Sequence, residues 1–135
     1  MKSIFLSTII VLTSAFAGAA TFELNTQRSS SLMNLIKSSG AEEQMDGASA
    51  SITATNVSCT LERSLGVSCS WKITKAKTGK IVEQELSQAK ANRLYNLLKL
   101  SGVEEELDGR TSSFNASSIE CSIERTLPAS CVVIK

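Results

Sequence analysis

Residues 32–47 read LMNLIKSSGAEEQMDG, and residues 94–109 read LYNLLKLSGVEEELDG. The same offset of 62 lays residues 57–69, VSCTLERSLGVSC, on residues 119–131, IECSIERTLPASC. From Leu32 to Cys69, 18 of 38 positions are identical without a gap, against the few that chance supplies, so the chain carries a tandem duplication. Residues 20–76 are expected to form the first copy and residues 77–135 the second. Together they have the usual size of one compact domain.

Within each copy the apolar period separates helix from strand. Leu32, Leu35 and Ile36 recur at helical spacing, and so do Ala91, Leu94, Leu97 and Leu98. Asn25 and Ser87 stand where a helix needs an N-cap, because a side-chain oxygen there accepts from an otherwise unpaired amide of the first turn. Gly40 and Gly102 stand at the stops, where left-handed backbone suits a residue without Cβ. Upstream, TFELN at Thr21 corresponds to VEQELS at Val82 as a short strand. Downstream, Glu42, Glu43 and Asp46 recur as Glu104, Glu105 and Asp108, with Glu106 added. These acids predict a turn or one extra helical turn, where they would favour a helix N-terminal dipole. Asp46-Gly47 and Asp108-Gly109 then turn the chain into strands.

The period next changes to two. Ile52 and Ala54 alternate, then Val57, Cys59 and Leu61, then Val67, Cys69, Trp71 and Ile73. The second copy has Phe114 and Ala116, then Ile119, Cys121 and Ile123, then Cys131 and Val133. The change of phase between Ala54 and Val57 predicts a bulge or a split strand. Each copy is thus β-α-β-β. The fold class is α+β: two tandem repeats, one antiparallel sheet, the helices packed on one face, and a pseudo-two-fold axis. With the first turn centred on Ser64, Cys59 falls opposite Cys69, Val57 opposite Trp71 and Leu61 opposite Val67. The second hairpin places Cys121 opposite Cys131, Ile119 opposite Val133 and Ile123 opposite Ala129. Directly opposed cysteines on one side of a hairpin can form a disulfide, so the expected pairs are Cys59–Cys69 and Cys121–Cys131.

The N-terminus supplies the compartment. Lys2 precedes a short apolar run ending at Phe16, and Ala17-Gly18-Ala19-Ala20 provides the small residues of a cleavage site. Residues 1–19 therefore read as a secretory signal peptide, too short in its apolar core for a membrane span. The expected location is periplasmic or secreted, with no stable membrane span after cleavage. An oxidising compartment suits the even cysteine count. The remaining chain holds 13 basic and 13 acidic residues, since the signal removes only Lys2 from the total of 14 and 13. Such balance argues against nucleic acid as a partner, whose affinity comes from phosphate neutralisation.

The chain has no histidine, which removes Ser-His-Asp and Cys-His catalysis and most zinc sites. The cysteine spacings fit no zinc motif, and no glycine-rich phosphate loop is present. Ser87-Gln88-Ala89-Lys90 imitates an S-x-x-K nucleophile motif, and Lys77-Thr78-Gly79 a K-T-G. Their order is reversed relative to the penicillin-recognising enzymes, and the chain is too short for that fold. The acidic stretches raise calcium as a ligand, yet they lack the alternating oxygen ligands of an EF-hand loop.

Neither a catalytic residue nor a metal or cofactor is assigned. The reading is an exported non-catalytic binding or interaction module for a protein or small ligand. The alternative is an inhibitor of a secreted hydrolase, acting through the disulfide-braced hairpin loops. Candidate binding residues are Arg63 and Arg125, which recur within Glu-Arg at the hairpin tips, and Trp71 and Tyr95, which differ from Val133 and Met33 of the other copy. A braced loop docks with little loss of entropy, which is the physical case for the arginines. Core packing for Trp71 and an ordinary polar turn for the arginines are the plainer roles. Asn56-Val57-Ser58 and Asn115-Ala116-Ser117 are glycosylation sequons.

Overall fold

Asn25 and Ser87 open the two helices as their side chains predict. In the computed structural model, which describes residues 20–135, Asn25 Oδ1 accepts from the Arg28 N–H at 2.8 Å and starts α1 (Thr26–Ser38). Ser87 Oγ accepts from the Lys90 N–H at 3.4 Å and starts α2 (Gln88–Ser101). The signal peptide expected over residues 1–19 lies outside the described residues. Gly102 ends α2 in the left-handed region, at φ 96°. The apolar stripes are buried as expected, with Met33 added on α1 and Tyr95 on α2.

All strands pair antiparallel. β1 (Thr21–Glu23) precedes α1, and β5 (Ile81–Glu85) precedes α2. The long strands are β3 (Ser49–Glu62) and β7 (Thr111–Glu124), each followed by a hairpin partner, β4 (Gly66–Thr74) and β8 (Leu127–Ile134). The acidic stretches depart from expectation. They form no extra helical turn but two further strands, β2 (Gln44–Asp46) and β6 (Glu105–Asp108), which raise the sheet from six strands to eight. The cause is the loop that follows. Asp46 pairs with Ser49 and Asp108 with Thr111, leaving two-residue loops that begin at Gly47 and Gly109, with φ 62° and 64°. A two-residue loop with glycine first makes a II′ turn, whose twist matches that of the flanking strands, so the acids are drawn back into the sheet.

The middle strand is also not split. β3 and β7 run unbroken beside each other, from Ser49 opposite Glu124 to Glu62 opposite Thr111. The phase change is a bulge: Asn56 adopts φ 49°, and the β3–β4 register shifts between Thr55 and Ser58. Ala54 and Val57 consequently both face the core. In β7, Ala116 and Ile119 do the same around Ser117 and Ser118.

The sheet order is β1-β8-β7-β3-β4-β5, with β2 on β3 and β6 on β7. Among the described residues the first strand therefore pairs with the last, Phe22 opposite Val133, while β5 pairs with β4, Trp71 opposite Gln84. The helices follow suit: α1 packs chiefly on β8, and α2 on β4. Both bury their stripes in one cluster with Ile52, Trp71, Ile73, Phe114, Ile119 and Val133. The opposite face of the sheet has no covering layer among the described residues.

Candidate functional site

The hairpin cysteines are paired as the register predicts. Cys59 lies opposite Cys69 and Cys121 opposite Cys131, each pair bonded with Cα atoms 4.1 Å apart. Leu61 opposite Val67 and Ile119 opposite Val133 also hold. Val57 does not pair with Trp71, because the bulge intervenes. Ile123 does not pair with Ala129, because the β7–β8 ladder is irregular between Ser122 and Glu124. Both disulfides are buried against the helices, Cys69 Sγ at Ala91 O and Cys131 Sγ at Ser29 O. Among the described residues, no helix is long and apolar enough to cross a membrane.

The four candidate binding residues fall in separate places. Trp71 is 0% exposed, and its indole N–H donates to Gln84 Oε1 at 3.1 Å. Tyr95 is 5% exposed, meets Phe114 edge to face at 5.0 Å, and its hydroxyl bonds Glu105 Oε2 and Ser112 Oγ at 3.2 and 2.8 Å. Neither aromatic ring is presented at the surface. Arg63 and Arg125 are exposed, but at opposite ends of the central strand pair. The thirteen residue steps from Ser49 to Glu62 separate them by roughly 43 Å. Arg63 borders a hollow of about 270 Å³ with Arg110. Arg125 borders another of about 360 Å³, and its amide donates to Ala48 O at 3.2 Å. One cleft therefore cannot engage both arginines.

The S-x-x-K residues serve the helix start and its neighbour. Ser87 caps α2, and Lys90 Nζ reaches Ser38 O at 3.5 Å. Among the described residues, no three His, Cys, Asp or Glu side chains converge as a metal site.

The helix-free face of the sheet is what remains, and alternation decides its content. Where Ile52, Ala54, Val57, Cys59 and Trp71 point to the helices, Ser51, Thr53, Ser58, Thr60, Ser68 and Ser70 point away. The same parity sends Glu62 on β3, Glu83 and Glu85 on β5, and Glu120 and Glu124 on β7 to this face. Glu23, Asp46, Glu106 and Asp108 join them from the shorter strands. Nine of the thirteen carboxylates thus lie on one face, all exposed, while Lys72 is the only base among the residues whose strand parity places them there. The helices carry the complement: Arg28, Lys37, Lys90, Arg93 and Lys99, and no acid. The only ion pair among the described residues, Lys37 with Glu43 at 3.7 Å, is outside this face; of the nine, Glu83 lies opposite Lys72 and Glu106 accepts from Asn115 Nδ2 at 3.3 Å.

Three hollows lie on the face beside the one that Glu62 and Thr111 form with Arg63 and Arg110 at its end. The central one, about 410 Å³, lies at the bulge and is lined by both sequons, Asn56-Val57-Ser58 and Asn115-Ala116-Ser117, with Lys135. On one side, Ser58, Thr60, Ser68, Ser70 and Glu85 line a hollow of about 210 Å³. On the other, Ser51, Thr53, Ser122, Ser130 and Glu120 line one of about 230 Å³. Each flanking hollow thus holds one glutamate among four hydroxyls. The alternation carried this information, but only strand order brings the residues of β3, β4, β5, β7 and β8 into shared hollows. Comparison with protein-family models, curated proteins and solved structures finds no match for this chain.

Proposed function

We propose that the protein is an exported, non-catalytic binding module whose binding surface is the helix-free face of the sheet. The observation that carries this reading is the asymmetry of the sheet. One face is filled by two helices, and the other presents an array of hydroxyls and exposed carboxylates with shallow hollows. The disulfides, consistent with an oxidising location outside the cytoplasm, brace the two hairpins that form much of that surface. In this reading the surface is built by two copies of one duplicated unit about a pseudo-two-fold axis, each lending its first strand and helix to the hairpin of the other.

The test is capture of partners from a native extract by immobilised residues 20–135, beside a variant carrying Thr53→Trp and Thr60→Trp. These changes crowd the face without altering its charge. Partners lost from the variant support the reading, whereas partners retained by it place binding elsewhere.

The second reading, inhibition of a secreted hydrolase, rests on the exposure of Arg63 and Arg125 at the two hairpin tips. Their separation makes each tip an independent inhibitory loop. Titration against trypsin-like proteases tests it. Inhibition that survives Arg63→Ala with Arg125→Ala, or its absence in the unaltered protein, dismisses the loops.

A further inference from the structure

The two flanking hollows carry matching chemistry. In the first, Ser70 lies directly opposite both Ser58 and Glu85, and Thr60 opposite Ser68. In the second, Glu120 lies opposite Thr53, and Ser122 opposite both Ser51 and Ser130. Directly opposed side chains on one face have Cβ atoms about 4.5–5.5 Å apart, so one carboxylate and several hydroxyls bound each hollow together. Neither hollow contains a basic or an aromatic residue. A carboxylate offers negative charge and acceptors only, and a hydroxyl adapts to whichever role the ligand leaves open. Such a set suits a group that carries positive charge and only donors, namely an ammonium or a guanidinium. The absence of an aromatic face disfavours a sugar or a flat apolar ring.

We propose that the two hollows receive Lys or Arg head groups from one basic protein partner, docked across the helix-free face. This rests on the reading of that face as the binding surface, and names its partner class. Glu85 and Glu120 are three strand spacings and five residues apart by register, which sets them on the order of 20 Å apart. A single exposed ion pair contributes little, because water screens it. A partner that presents two cationic side chains at this spacing engages both hollows at once, and the second contact becomes intramolecular. The surrounding carboxylates, including Glu23 and Glu124, extend the same field over the face and would steer a basic surface toward it. A net charge of only +1 hides this polarity, because most of the balancing bases lie on the helices and at the turns.

The experiment is fluorescence anisotropy of a dye-labelled oligolysine peptide long enough to span both hollows, titrated with the disulfide-intact protein. Glu85→Gln and Glu120→Gln should each weaken binding about two- to fivefold, and the pair together on the order of tenfold. Binding should also fall with added salt. Glu43→Gln, outside the face, should leave affinity unchanged. The proposal is overturned if the double variant binds like the unaltered protein, if an oligoglutamate peptide binds as well, or if lysine amide matches the peptide and so reveals a small-amine site. If the peptide arm fails while Thr53→Trp with Thr60→Trp still loses its captured partners, the cationic assignment falls and the face remains the binding surface. If both fail, the reading of the face falls with it.

Discussion

Ser29 holds the start of the chain to its end, and replacing it with alanine should be disproportionately costly. Cys131 lies opposite Cys121 across β7–β8, and its own N–H and C=O take their partners on the β1–α1 side. Its carbonyl accepts from the Leu24 N–H at 3.1 Å. β1 ends at Glu23, and the Ser29 hydroxyl on α1 takes the Cys131 N–H instead, at 2.9 Å. That hydroxyl donates in turn to Leu24 O at 3.2 Å. Ser29 and Cys131 are both 0% exposed, so no solvent replaces the lost acceptor. A buried amide left unpaired costs about 1–3 kcal/mol. Alanine recovers up to about 0.5 kcal/mol through its better helix propensity. The expected net loss is roughly 0.5–3 kcal/mol, or about 2–15 °C in Tm for a domain of this size. Urea unfolding with disulfides intact should show a lower midpoint at unchanged slope. The half-buried neighbour provides the control, as Ser30→Ala should stay within about 0.5 kcal/mol. A loss below about 0.5 kcal/mol for Ser29→Ala, at unchanged slope, would refute the argument that the Cys131 amide depends on this hydroxyl.

Four further outcomes follow from the geometry. Replacing Cys59 and Cys69 together by alanine should cost about 2–4 kcal/mol in denaturant unfolding, mainly by freeing the unfolded chain, and a loss below about 1 kcal/mol would contradict this. Trp71→Ala should cost about 3–5 kcal/mol, because a fully buried indole leaves a cavity. As Trp71 is the sole tryptophan, native emission should be blue-shifted and move to the red on unfolding, and a native spectrum like that of free indole would place it in water. Asn25→Ala and Ser87→Ala should each cost about 0.5–2 kcal/mol by thermal melt, and no change in either would remove the caps from the account.

The candidate site was legible in unequal parts. Both disulfides followed from alternation alone, because opposite residues in a hairpin are related by a constant sum and the cysteines obey it. Trp71 and Tyr95 stood out as differences between the two expected copies, and the structure gives each a local partner, Gln84 and the Glu105–Ser112 pair. The serines and threonines of the helix-free face drew no attention, since a half-exposed strand carries such residues by default. Nor did the charge segregation, because a net charge of nearly zero says nothing about where the charges lie.

The sequence by itself determined what depends on near neighbours: the helix caps, the apolar stripes, the hairpins with their cysteine register, and the phase change that becomes the bulge at Asn56. These rest on backbone period and on side chains a few residues away, which are short-range and readable. Only the tertiary structure decided that β1 crosses to β8 while β5 takes β4, and that β2 and β6 add to the long strands. It also set the arginine tips at opposite ends and gave each flanking hollow one glutamate among four hydroxyls. Strand order depends on which unpaired edge each strand meets once the helices cover one face. That is a competition among distant backbone donors and acceptors, and no local pattern encodes it.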